Sequence, residues 1–189
     1  MTGHSSRDVS LRSLRDQPVA LLQALERRVN ATVGLRDDTD EASWIGISFR
    51  MGPETFLVPR DEVREVLAWP THLARIPGSK AWVRGLANIR GLLLPIIDVR
   101  QYLGSAAATA TRQSRLLLVN HRDMCAGFMV DEVAGFARCQ RTDYQEVSPP
   151  PLVRCDRFLM GAYRFSGALC PVLSFRKIIE TPSFIQAAS

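Results

Sequence analysis

Two acidic pairs, Asp61-Glu62 and Asp131-Glu132, three histidines, His4, His72 and His121, and four cysteines, Cys125, Cys139, Cys155 and Cys170, have the types for acid–base, nucleophilic or metal chemistry in this 189-residue chain. A carboxylate dyad works only if its two acids face one substrate from different directions. Here each pair ends a similar stretch, "SFRMGPETFLVPRDEV" and "LVNHRDMCAGFMVDEV", so that Glu62-Val63 matches Glu132-Val133. Recurrence at equivalent places marks corner residues of a repeated unit. The histidines stand in unrelated contexts, no serine or cysteine occupies a strained elbow, and no glycine-rich phosphate loop is present. The cysteines are spaced too widely for a zinc knuckle or a redox pair and read as reduced and structural. Catalysis, a cofactor and a metal site are therefore not expected.

Recognition chemistry is the other possibility. In "WVRGLANIRGLLLPIIDVR", Trp82 to Arg100, Arg90 precedes Gly91 in what reads as a tight hairpin turn. There glycine supplies the unusual backbone angles and its neighbour points a guanidinium fork into water. The net charge is +5, with 22 arginines against 2 lysines, but the arginines are dispersed among 19 acids with no basic block and no aromatic stacking platform. Nucleic acid is not the expected partner. The remaining non-adaptor reading is an SH3-like or OB-like barrel that binds peptide or single-stranded nucleic acid.

The elements that must carry these residues are mostly strands. Residues 1–16 are polar, 17–33 ("QPVALLQALERRVNATV") place Leu21, Leu22, Leu25 and Val29 at helical spacing, and 34–43 read as an acidic linker. From Trp44 onward the pattern changes to short apolar runs separated by turns. The expected organisation is a tail and amphipathic helix over 1–40 and a β domain over 41–181, with a first barrel over 44–99 and a second over 100–180. No run is long and apolar enough for a membrane span, and no signal segment opens the chain, so a cytoplasmic location without direct membrane insertion is expected.

Pro95 interrupts the apolar run Leu92 to Ile97, which otherwise reads as a buried strand, and a proline cannot donate to a strand ladder. It must lie on an edge strand, at a bulge, or where a strand leaves one sheet for another. The oddity occurs twice. Aligning "VRGLANIRGLLLPIIDVR" with "LMGAYRFSGALCPVLSFR" pairs Gly85 with Gly161, Gly91 with Gly167, Pro95 with Pro171 and Arg100 with Arg176 at one constant offset. Two copies of a roughly 60-residue β unit imply two small barrels related by a pseudo-two-fold axis. Positions shared by the copies belong to the scaffold. Positions that differ, Glu65 against Gly135, Asn88 against Arg164, Arg90 against Ser166 and Asp98 against Ser174, are free to carry a role held by one copy alone.

With "DEVREVL" and "RIPG" before it and "AGFMVDEVAGF", "VSPPP" and "GAYRFSGALCPVLSFRKII" after it, the "NIRG…P..D" series resembles the CheW-like coupling proteins of bacterial chemosensory arrays, from Trp44 to Glu180. Within that family the "ALLQALERRVN" segment and the "W.GISFRMG" entry look like the PilI-type proteins of twitching-motility pathways. The resemblance implies a mainly β fold of two intertwined five-stranded SH3-like barrels. It also implies a non-enzymatic adaptor between the cytoplasmic tip of a methyl-accepting chemoreceptor and the regulatory domain of a CheA-type histidine kinase. Carried over by position, it assigns receptor contact to Glu65, Asn88, Arg90 and Gly91, and kinase coupling to Arg84 and Gly85. Pro171 and Ser174 depart from the family pattern, in which this strand more often continues apolar and acidic.

Overall fold

A computed structural model describes residues 43–121, 124–148 and 150–188, so the amphipathic segment 17–33 lies outside the described residues. The chain runs β1 (Ser43–Met51), β2 (Glu54–Pro59), β3 (Glu65–Ala68), β4 (Val83–Ile89), β5 (Leu92–Asp98) and α1 (Val99–Tyr102). It continues through β6 (Arg115–His121), β7 (Met124–Val130), β8 (Glu132–Gln140), β9 (Tyr144–Gln145), β10 (Leu159–Phe165) and β11 (Ala168–Leu173), and ends in α2 (Phe175–Ile179) and α3 (Pro182–Ala188). The strands form two sheets, in the orders β8-β1-β2-β11-β10-β9 and β3-β6-β7-β5-β4.

The duplication is visible bond by bond. β5 pairs with β7 in parallel at Ile96↔Gly127, and the repeat maps this onto the parallel pair Val172↔Leu57 between β11 and β2. Likewise Glu65↔Leu118 maps onto Ser48↔Gly135. Both return hairpins turn through two left-handed residues, Arg90 (φ 53°) with Gly91 (φ 86°) and Ser166 (φ 50°) with Gly167 (φ 81°), the type I′ geometry that suits strand twist. Asp98 caps α1 by accepting from the Gln101 N–H at 3.1 Å, and Ser174 caps α2 by accepting from the Lys177 N–H at 3.1 Å.

Two expectations need correction. The barrels do not follow the sequence halves 44–99 and 100–180, because each sheet draws strands from both. The hairpin β1–β2 joins β8 to β11, and β6–β7 joins β3 to β5. Crossing over lets each hairpin bury both faces. In β2, Phe56 and Val58 enter the core between the sheets while Leu57 enters the interior of its own barrel; in β7, Phe128 and Val130 do the former and Met129 the latter.

The second correction narrows the three places open to the prolines. β5 and β11 are interior strands, which excludes the edge, and each proline lies in a hairpin with a register shift, between Val83 and Gly85 or between Leu159 and Ala162. Leu86, opposite Pro95, directs its N–H and C=O to Ala74, so this pair is not hydrogen bonded and the proline nitrogen faces β7. The β5–β7 register starts one residue later, at Ile96, so no ladder bond is lost. Pro171, opposite Ala162, takes the equivalent position one residue before Val172↔Leu57. Each proline therefore marks where a strand gains its second neighbour.

The central core is aromatic and joins both sheets to the helices. Phe128 stacks on Phe175 at 4.8 Å and on Phe184 at 5.8 Å, and Phe49 lies 5.9 Å from Phe56. The acidic corners brace it. Buried Glu62 accepts from the Ser174 hydroxyl at 2.7 Å and the Arg176 N–H at 3.0 Å, while Asp61–Arg176 (3.2 Å) and Asp131–Arg100 (3.6 Å) are equivalent ion pairs in the two copies. The acids thus serve as corners, not as a dyad.

Candidate functional site

β3 and β4 are the opposite edges of the five-stranded sheet, yet Glu65 at the start of β3 meets Arg90 just beyond β4. The Arg90 Nη2 donates to Glu65 Oε1 at 2.6 Å, which shows that the sheet curls until its edges face each other. They do not zip together. A groove of about 550 Å³ remains between them, lined by Leu67, Pro70, His72, Leu86, Asn88 and Leu93 among others.

The turn at the head of this groove is built to display its arginine. The Asn88 side-chain carbonyl accepts from the Gly91 N–H at 2.8 Å and closes the turn from outside. Gly91 sits at φ 86° with open space around it, so its requirement for glycine is conformational and not steric. Arg90 is a non-glycine residue in the left-handed region, a placement that costs roughly 1–2 kcal/mol. The Arg90 side chain is 75% exposed and that of Glu65 28%. An exposed pair offsets that cost by about 0–1 kcal/mol, so fold stability gives little reason for an arginine here. The structure thus brings Glu65, Asn88, Arg90 and Gly91 into one cluster.

Arg84 and Gly85 lie elsewhere. Six residues of strand at roughly 3.3 Å each put Arg84 about 20 Å from Arg90. Arg84 is partly exposed, with its Nη1 3.8 Å from the Asp98 carboxylate. That carboxylate is fully buried and holds the chain around α1, because Oδ2, the oxygen that faces Arg84, accepts from the Ala108 N–H at 2.8 Å while Oδ1 accepts from the Gln101 N–H. Asp98 is thus a brace, although it differs between the copies. Gly85 is buried, and a Cβ there would come within 2.5 Å of the Ala74 carbonyl oxygen at a φ of 141°. Gly161 meets the Gln145 carbonyl in the same way. Gly85 therefore admits the segment that pairs with β4 and shapes the surface beside Arg84 through its backbone.

Leu92 and Leu93, 59% and 66% exposed, are the apolar residues that the sequence reading enclosed. They precede Pro95, where β5 has a neighbour on one side only. The proline was the available signal. In the second barrel the interior is filled by aromatic rings, since Trp44 stacks on Tyr163 at 4.5 Å and Tyr144 packs against the same ring at 5.2 Å. No described helix is long and apolar enough to cross a membrane.

A family model for the CheW-like domain matches residues 46–183. Protein PilI of Pseudomonas aeruginosa is 38% identical over 148 residues, which cover 77% of this chain and 83% of PilI. Chemotaxis protein CheW of Helicobacter pylori is 28% identical, over 85% of this chain and 96% of that protein. Among solved structures, the scaffolding protein TtCheW from Thermoanaerobacter tengcongensis superposes with a TM-score of 0.64 over 74% of this chain and 94% of its own, at 19% identity, a likeness of fold alone. Motif order, duplicated topology and these similarities converge, and the chain belongs to the CheW-like domain family.

Proposed function

We propose that this protein is a non-enzymatic adaptor that links the cytoplasmic tip of a methyl-accepting chemoreceptor to the regulatory domain of a CheA-type histidine kinase, in a cytoplasmic array at the membrane. Its likeness to PilI over most of both chains supports a pathway controlling type IV pilus twitching. The observation that carries the reading is the Arg90–Glu65 cluster, an exposed charged pair at the mouth of an apolar groove, where the other copy has Ser166 and Gly135 in place of the two charges. Leu67, Leu86 and Leu93 supply apolar contact there, and Arg90 supplies direction. In this reading Glu65, Asn88, Arg90 and Gly91 form the receptor contact and Arg84 belongs to the kinase contact.

The test is binding of the purified chain to a receptor-tip fragment and to the kinase regulatory domain, separately and together. Binding to each, with simultaneous occupancy, is the expected result. Failure to bind either, or salt-sensitive binding to single-stranded DNA in their place, would overturn the adaptor assignment in favour of a nucleic-acid-binding barrel.

A further inference from the structure

Between Glu65 and Asp98 the chain has no acidic residue, while Arg75, Lys80, Arg84 and Arg90 fall within that span. Three of these cations converge. Arg75, Lys80 and Arg84 line a separate pocket of about 450 Å³ with Leu73, Ile76 and Ser79, and no acid lines it. A tight turn sets the spacing: the Ser79 N–H bonds the Ile76 carbonyl at 3.3 Å across Pro77 and Gly78, with Gly78 at φ 75°. Proline followed by left-handed glycine is the type II arrangement, which holds Arg75 and Lys80 on either side of a rigid turn. The only acid paired with these side chains among the described residues is Asp98, and its 3.8 Å separation from Arg84 exceeds hydrogen-bond length. The guanidinium fork of Arg84 is therefore open to another acceptor.

The second copy is built differently. Met160 stands where Arg84 does, and the loop that precedes β10 mixes Arg154 and Arg157 with Glu146 and Asp156, whereas the span from Val66 to Ile97 holds cations alone. By the logic that isolates Arg90, this cluster belongs to a role held by one barrel. Its shape limits the ligand. Three cations around one small pocket suit one or two carboxylates, with which arginine forms paired hydrogen bonds, and do not form the extended track a phosphodiester backbone needs.

We propose that this pocket receives carboxylates of an acidic segment on the partner bound at the Arg84 end of β4, which, resting on the adaptor reading, is the kinase regulatory domain. Like charges left unpaired on a folded surface repel one another, and an incoming carboxylate relieves that repulsion while fixing the orientation of the partner.

The experiment measures kinase-domain binding by the full chain at about 50 mM and about 500 mM salt, where screening lengths differ roughly threefold. Wild type is compared with the double substitution Arg75→Glu/Lys80→Glu and, should that variant melt early, with Arg75→Gln/Lys80→Gln. The expected result is that wild type loses about tenfold or more in affinity at the higher salt. The charge-reversed variant binds at least about tenfold more weakly at low salt and responds little to added salt, and receptor-tip binding is unchanged in both. Variants that bind the kinase domain like wild type would overturn the proposal while leaving the adaptor reading intact. If wild type itself does not bind the kinase domain, the adaptor reading fails, and titration of the chain with a hexaglutamate peptide decides the pocket. Amide shifts confined to residues 73–84 would uphold it; their absence, or the same shifts with inorganic phosphate alone, would refute it.

Discussion

Replacing Arg90 by glutamate separates stability from recognition. The substitution keeps a non-glycine residue at φ 53°, so the backbone cost of the turn is unchanged. What is lost is one ion pair with a 75% exposed arginine, and what is added is repulsion between two carboxylates at a solvated site. Together these amount to about 0–1 kcal/mol, which in a domain of this size lowers the melting temperature by about 2–4 °C at most. Inside an interface the same reversal replaces an attraction by a repulsion between desolvated groups and costs several kcal/mol; a loss of about 2.8 kcal/mol is a hundredfold in affinity. The assay pairs thermal unfolding with quantitative binding to a receptor-tip fragment and, separately, to the kinase regulatory domain. A near-normal melt, receptor binding weakened about a hundredfold and kinase binding retained are expected. Arg90→Asn serves as a control, since asparagine tolerates the left-handed region but lacks the fork; it should melt like wild type and still bind receptor weakly. A variant that unfolds, or that binds receptor like wild type, would reduce Arg90 to a turn residue.

The two glycines of β4 and its turn should respond differently to alanine. Gly91→Ala meets open space and costs about 1–2 kcal/mol, whereas Gly85→Ala drives a Cβ to 2.5 Å from the Ala74 carbonyl and should yield an insoluble or early-melting protein, both read by urea unfolding of whatever is recovered. Asp98→Ala leaves the Gln101 and Ala108 N–H groups without their acceptor, and a loss of about 2–4 kcal/mol by the same assay is expected. Burial pushes the Cys155 thiol up from 9.0 to about 12, so its neutral form is favoured in the fold. This contribution is complete below pH 9 and is lost as pH rises from 9 toward 12. Cys155→Ala should therefore melt lower at neutral pH but lose less on going to pH 10.5 than wild type does.

The parts of the fold legible in the sequence are those the duplication writes twice. Pro95 with Pro171, Gly85 with Gly161 and the acidic corners with Arg100 and Arg176 all occupy equivalent places in the structure. The crossing of hairpins between barrels was legible only through the family resemblance, because β5–β7 and β11–β2 are parallel contacts between distant segments and leave no local periodicity. Within the site, comparing the copies isolated Glu65 and Arg90, and their hydrogen bond joins sheet edges that are distant in strand order. The groove walls were hidden for a different reason. Leu92 and Leu93 read as core because an apolar run has no marker for the residue at which a second neighbour arrives, other than the proline itself. Asp98 was misread in the opposite sense: its difference from Ser174 changes which neighbour is held, a loop N–H at Ala108 in one copy and Glu62 in the other.

The central claim is coupling, and the most direct measurement is autophosphorylation of the CheA-type kinase in the presence of receptor-tip fragments, with and without this protein. The account predicts that receptor alters kinase activity only when the protein is present, and that Arg90→Glu, folded and bound to kinase, fails to transmit the effect. Receptor control of the kinase that persists without the protein, or that survives the Arg90→Glu substitution unchanged, would contradict it.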